Sequence, residues 1–451
     1  MTDADRADGP PPADPPSLAG PAAAPAASAD LGRRRFFRQF AGELASTAAT
    51  MVGTVQALQK TSAELAGSIL DPGRVAGEPL ADGGASTVPA APDGSGSPAG
   101  AAFRTSFRLD GGAIRFVDQR ALPRSVVEHS SRSAAEVAWA IRNQVVLGGP
   151  AIGQAAAVGL SLTADRVRTT RPYARRATLR GAANALINAA PTHASARWAV
   201  DRVMAAYAEV GELSEDGAAV ADAMHVEAER IIGEVAAEHG RIVEAGLATI
   251  DALPRPESGP LRLLVHGPSG TLAGGQFGTA LSIAIAAHHA EREIRVIVPE
   301  ARPGFSGARI TCWELAAAGV AHTLVVDAAA TALVAAGEVD AILIPADRVA
   351  ANGDVAATIG SHALAAVAAR RQVPFYVCAP ASSIDLAAAT GAAITIAAST
   401  PSELERVGDV ALAPPGTEIS APAHDITPAE LVTGYLTGTG LRAAPFVESG
   451  G

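Results

Sequence analysis

From residue 261 onward, short apolar runs alternate with Ala-rich stretches of helical period. The runs fall at 261 to 265, 294 to 298, 322 to 326, 341 to 344, 374 to 378 and 392 to 396. Runs of that length, separated by ten or more residues of helical pattern, predict a doubly wound, largely parallel α/β sheet covered on both faces. Before them, from 104 to 255, the pattern is mainly helical. Ser133 and Glu136 have capping-box spacing for a helix through Val145, Pro191 with Thr192 opens another through Val203, and a longer one is expected over 215 to 247. Thr427, Pro428 and Glu430 predict a last helix.

The first hundred residues read differently. Residues 1 to 32 and 71 to 103 are rich in Pro, Ala, Asp and Gly without apolar periodicity, which predicts disorder. Between them, 33 to 70 place Phe37, Phe40, Leu44, Ala48, Met51, Val55 and Leu58 on one helical stripe behind the basic start Arg33-Arg34-Arg35, an amphipathic helix expected to dock on a partner not identified by the sequence. The basic start resembles a twin-arginine export signal, but Glu43 and its polar neighbours break the uncharged region such a signal needs.

Composition narrows the function classes. A net charge of −11 and the absence of clustered cations after residue 210 argue against nonspecific nucleic-acid binding. Cys312 and Cys378 form no disulfide framework or ligand pair, so a reducing cytoplasm is the expected compartment. No apolar run has the length of a membrane span. No set of His, Cys and carboxylate has metal-ligand spacing along the chain, so neither a metal nor an organic cofactor is expected.

The candidate chemistry lies in Ile344-Pro345-Ala346-Asp347-Arg348-Val349-Ala350-Ala351-Asn352-Gly353-Asp354, where a carboxylate follows a buried strand. Open α/β sheets bind ligands beyond the carboxyl ends of their strands. Asp347 is thus a candidate acid or base, with a loop-anchoring Asp-Arg pair and an Asn-Gly turn as the structural alternative.

Together with Gln276-Phe277-Gly278-Thr279-Ala280-Leu281, Gly307-Ala308-Arg309-Ile310-Thr311, Trp313-Glu314-Leu315, Asp425-Ile426-Thr427-Pro428 and Gly149-Pro150-Ala151-Ile152-Gly153, this segment resembles one superfamily. It contains methylthioribose-1-phosphate isomerase, ribose-1,5-bisphosphate isomerase and the alpha, beta and delta regulatory subunits of the eukaryotic translation-initiation guanine-nucleotide exchange factor. The resemblance implies a Rossmann-like domain preceded by the smaller helical one (256 to 445 and 104 to 255), a homodimer, and a small phosphorylated sugar or related anion as ligand. In the isomerases an Asp, matched by Asp347, and a Cys convert an aldose 1-phosphate to a ketose 1-phosphate.

Gly267 stands where the thiol belongs. Leu147 and Ala190 replace two arginines, Ser306 a glutamine, and Ala357-Thr358 an Asn-Lys pair. The ligand-contacting positions implied are therefore Gly148, Gly149, His266, Gly267, Ser269, Ser306, Arg348, Ala357 and Thr358, with Arg142, Arg302, Arg309 and Arg348 as substitute cations. His266 also fits a structural role. Exposed N–H groups of the Gly270 to Gly278 loop are a further candidate phosphate site. Loss of the thiol and the cations favours a ligand-binding or regulatory protein. The alternative is a methylthioribose-1-phosphate isomerase-like enzyme of methionine salvage that uses Asp347 as a protonated acid whose pKa a closed pocket would raise.

Overall fold

The computed structural model describes residues 105–396, 402–407 and 410–446; the expected amphipathic helix of 33 to 70 and its flanks lie outside them. The described chain opens with an antiparallel three-stranded sheet, β1 (Phe107–Asp110), β2 (Ala113–Val117) and β3 (Glu128–Ser131), in a region whose sequence pattern reads as helical. Five helices follow: α1 (Ala134–Arg142), α2 (Gly149–Arg166), α3 (Pro172–Ile187), α4 (Ala194–Val210) and α5 (Gly217–Asp251).

The Ser133 Oγ accepts the Glu136 N–H at 3.3 Å, as a capping box requires, while Glu136 reaches back to the Arg132 N–H at 2.9 Å. The helix stops at Arg142, short of Val145, since Gln144 takes φ 57° and turns the chain back. After Pro191-Thr192 the next helix begins at Ala194.

The main sheet has seven strands. In chain order they are β4 (Leu261–Val265), β5 (Ile294–Pro299), β6 (His322–Val325), β7 (Ala341–Pro345), β10 (Phe375–Cys378), β12 (Gly434–Thr437) and β13 (Gly440–Arg442). Across the sheet the order is β13-β12-β10-β7-β4-β5-β6, parallel except for the antiparallel pair β12 with β13. The six parallel strands therefore lie in the order 3-2-1-4-5-6 of a doubly wound α/β sheet, and the order reverses between β4 and β7.

Alternate residues cover the two faces. Leu261, Leu263, Val265 and Leu343 pack with the last turns of α5 and with α7 (Ala280–His289), after the short α6 (Thr271–Gly274). Leu264, Ile342 and Ile344 pack on the other side with α8 (Asp327–Ala336) and α9 (Ser361–Arg371).

Helix α5 joins the two cores, because Val220, Met224 and Ile231 belong to the helical core while Ile242, Val243 and Ile250 lie on the sheet. At about 1.5 Å per residue it is a strut of about 50 Å. Two expected elements differ. Residues 392 to 396 are not a strand: Gly391–Ala393 form a 3-10 turn and Ile394 packs with Ala350, Ala356 and Ala388, the place beside β10 being taken by β12. The expected last helix shrinks to one 3-10 turn, Ala429–Leu431, whose Ala429 N–H is held by Asp354 at 3.1 Å before the chain enters β12. Among the described residues no helix is long and apolar enough to cross a membrane.

Candidate active site

Where strand order reverses, the carboxyl ends of β4 and β7 diverge, and the chain beyond β7 folds into a second small sheet. Its strands include β8 (Arg348–Ala350), β9 (Val355–Thr358) and β11 (His424–Thr427). The Asn352-Gly353 pair is the β8–β9 turn, with Gly353 at φ +96°, so that part of the motif serves structure. Asp347 sits between the two sheets. Its N–H donates to the Ala356 carbonyl and its own carbonyl accepts the Ala194 N–H, both at 3.0 Å, tying the first turn of α4 to the end of β7.

The Asp347 side chain is buried at the floor of a cleft of about 470 Å³ between the helical part and the sheet. Two imidazoles flank it: His193 Nε2 is 3.3 Å from Oδ1 and His424 Nε2 is 3.3 Å from Oδ2. The two rings are perpendicular, with centroids 5.5 Å apart. Neither histidine stands out in the sequence, although each lies beside a segment that does, His193 after Pro191-Thr192 and His424 before Asp425.

Burial works against charge on Asp347, yet His193 and His424 outweigh it and hold the carboxyl below its ordinary value. The expected upward shift is thus reversed, because the sequence reading lacked the imidazoles. Burial also lowers His424, but the Asp347 carboxylate wins and its pKa is raised; at His193 burial dominates and the pKa falls.

The other expected site residues divide. Gly148, Ser306 and Thr358 line the cleft. Gly149 is outside the cleft lining, although a Cβ built there would lie 3.7 Å from Asp347 Oδ1. Ser269 lies in a small cavity of about 10 Å³ behind Asp347, its Oγ donating to the Gly267 carbonyl at 3.2 Å and accepting the Leu281 N–H at 3.1 Å.

His266 is outside the cleft lining: its Nε2 meets the Ile359 carbonyl at 2.9 Å and burial lowers its pKa. Ala357 is buried in β9 opposite Asp425. Arg348 pairs with Asp385 at 3.3 Å and donates to the Pro191 carbonyl at 3.0 Å, and Arg309 donates to the Leu122, Gly304 and Gln119 carbonyls. Both arginines anchor loops. Arg142, exposed at the end of α1, lines the cleft. Cys378 also borders the small cavity, but burial pushes its thiol up, so it offers no thiolate in place of the missing one.

The Gly-rich loop does not offer its first N–H groups to a phosphate. Glu314 already holds them, its Oε1 accepting the Leu272 N–H at 3.0 Å beneath α6. Burial raises the Glu314 pKa to about 7. A carboxyl whose folded pKa exceeds its unfolded value binds more protons when folded, so stability falls as pH rises from about 4.5 to about 7. The loss is about 3 kcal/mol at most, at about 1.4 kcal/mol per unit. Glu314→Gln keeps an acceptor for Leu272 without the ionisation. Between pH 5 and 8 the melting temperature of the variant should fall less than that of the wild type; parallel curves would refute the assignment.

A family model described as the Initiation factor 2 subunit family matches residues 145–444. Methylthioribose-1-phosphate isomerase of Chloroflexus aurantiacus is 39% identical over 337 residues, covering 75% of this chain and 94% of that protein. The enzyme of the same name from a Synechococcus species is 40% identical over 344 residues, covering 76% and 96%. Among solved structures, 5-methylthioribose 1-phosphate isomerase from Pyrococcus horikoshii aligns with a TM-score of 0.65 at 32% identity, covering 76% of this chain and 94% of that one. The delta subunit of translation initiation factor eIF-2B from A. fulgidus aligns with 0.62 at 30%, covering 76% and 96%.

Proposed function

The chain belongs to the Initiation factor 2 subunit family, and from that membership we propose that it isomerises an aldose 1-phosphate to the ketose 1-phosphate, with methylthioribose 1-phosphate the first substrate to test. The observation that carries this reading is the Asp347 carboxylate set between two imidazoles at the floor of a cleft of ligand size. It favours this reading over the ligand-binding or regulatory alternative, whose basis is the absence of both the thiol and the phosphate-binding cations.

The reaction needs a proton delivered to the ring oxygen as its bond to C1 breaks, a hydrogen moved from C2 to C1, and a proton taken from the C2 hydroxyl as the ketone forms. The sum is an isomerisation with no net proton change. A cluster that combines a carboxylate acceptor with two imidazoles has both kinds of group within reach of one sugar ring. The thiol's absence leaves this proton balance intact.

For the phosphate, α2 begins at the cleft with Gly148 as its N-cap and no side chain satisfying its first turn, a ready anion site at the end of an 18-residue helix. Arg142 supplies a cation on the same wall. Phosphorus NMR of the purified chain with methylthioribose 1-phosphate tests the proposal: a new ketose 1-phosphate resonance is expected, and an unchanged spectrum at high enzyme concentration would reject it. Arg142→Leu should raise KM about 10- to 100-fold with kcat nearly unchanged, as loss of a charged hydrogen bond of about 1.5–3 kcal/mol implies. An unaltered KM would move the phosphate elsewhere.

A further inference from the structure

We propose that His193, Asp347 and His424 form a binding site for a divalent transition-metal ion. One ligand atom from each, a ring nitrogen of either imidazole and a carboxylate oxygen, lies within 4.8 Å of the other two. The two Nε2-to-oxygen separations are both 3.3 Å. A charge-assisted N–H to carboxylate hydrogen bond is usually about 2.7–2.9 Å long, so these contacts are long for one. Bonds of about 2.0–2.2 Å to a tetrahedral ion place neighbouring ligand atoms about 3.3–3.6 Å apart. The imidazoles face different carboxylate oxygens, so the three ligand atoms, within 4.8 Å of one another, draw together when one oxygen is shared.

The rings stand at 88° to one another in an edge-to-face arrangement and do not stack.

The three residues come from distant parts of the chain, yet backbone hydrogen bonds fix each one. The His193 N–H donates to the Ala190 carbonyl at 3.1 Å, Asp347 is held at both its N–H and its carbonyl, and His424 is in register with Thr358 in the small sheet. A set held in place by backbone contacts needs little rearrangement to take an ion.

Two imidazoles and one carboxylate select a borderline ion such as zinc, cobalt, iron(II) or manganese over calcium or magnesium, which favour all-oxygen sets. Three protein ligands at the floor of the cleft leave further coordination positions toward its interior, the arrangement of a catalytic site and not of a closed structural one. If the isomerase reading holds, on which this use of the ion rests, the adjacent oxygens on C1 and C2 of the sugar are the groups that such an ion would bind and polarise.

The test uses the tag-free full chain, stripped with chelator, dialysed and titrated separately with Co²⁺ and Zn²⁺ by calorimetry and visible absorption. One ion per chain with a Kd of about 1 μM or tighter is expected, together with the visible band of four- or five-coordinate cobalt. His193→Gln and His424→Gln should each weaken binding about 100-fold or more and abolish the band, whereas His266→Gln should retain both. Circular dichroism checks that each variant folds. The wild-type titration decides even where a variant does not: no stoichiometric binding overturns the proposal, as does binding that both glutamine variants preserve. Cobalt binding without sugar-phosphate turnover would uphold the site and reject the isomerase reading. Turnover undiminished in chelator by a chain that binds no ion would do the reverse.

Discussion

Asp347→Asn is expected to reduce turnover of methylthioribose 1-phosphate by about 10²- to 10⁴-fold, the range for losing an acid–base group, while the protein remains folded. Asparagine keeps nearly the same volume, and the contacts that place residue 347 are those of its backbone with Ala356 and Ala194, which the substitution leaves alone. What changes is the charge. The carboxylate is the counter-ion that raises His424, and it lies 3.3 Å from both imidazoles; a neutral amide neither accepts a proton nor stabilises one on the neighbouring ring. Rates from phosphorus NMR, beside a thermal melt of each protein, check this. Turnover within about threefold of wild type would remove Asp347 from the chemistry, at odds with a fall of about 10²-fold or more. A loss of activity matched by a collapse of the melt would show structural damage instead.

How much of this was legible depends on the range of the interaction. Strands β4, β5, β6, β7 and β10 announce themselves by local apolar runs, and Asp347 follows from its place after one of them. The order 3-2-1-4-5-6, reversing beside Asp347, also agrees with a ligand site there. What failed was non-local. Residues 392 to 396 are apolar enough for a strand, but β12 has the neighbouring edge, and no local pattern records which of two candidates pairs with β10. Of the first three strands, the outer two are short and largely exposed and the middle one is buried almost throughout, so none shows a clean alternation beside the helical periods that follow.

The imidazole cluster was missed for the same reason. His193 is the cap of one helix and His424 the first residue of a strand, and only the fold brings them to one carboxylate. A signal was available: His193 follows Ala190, one of the positions where a family arginine is replaced, and His424 precedes the Asp425 segment that carries the resemblance. A histidine beside such a segment merits comparison with the candidate acid. Glu314 shows the converse, since the Trp313-Glu314-Leu315 segment was recognised while its side chain's hold on the Leu272 N–H could be seen only in three dimensions.

Restoring the family's thiol by Gly267→Cys is expected to destabilise the protein by about 2–4 kcal/mol, combining backbone strain with overpacking. Gly267 has φ +89°, a conformation that a residue with a Cβ adopts only under strain. A Cβ at that position would also lie 2.6 Å from Thr358 Oγ1 and 3.4 Å from Pro345 Cγ. The two costs separate in a double variant. Thr358→Ala removes the hydroxyl and should recover the steric part, about 1–2 kcal/mol, leaving the strain at residue 267. Urea denaturation of the wild type, both single variants and the double variant measures this coupling; a Gly267→Cys protein as stable as wild type would show that the loop accepts a side chain after all. The space beside Gly267 has closed around Thr358, and the remaining native thiol nearby, Cys378, is held protonated by burial. A thiol at residue 267 therefore comes only at a cost in stability, and any isomerisation in this cleft centres on Asp347 and the two imidazoles that the fold brings to it.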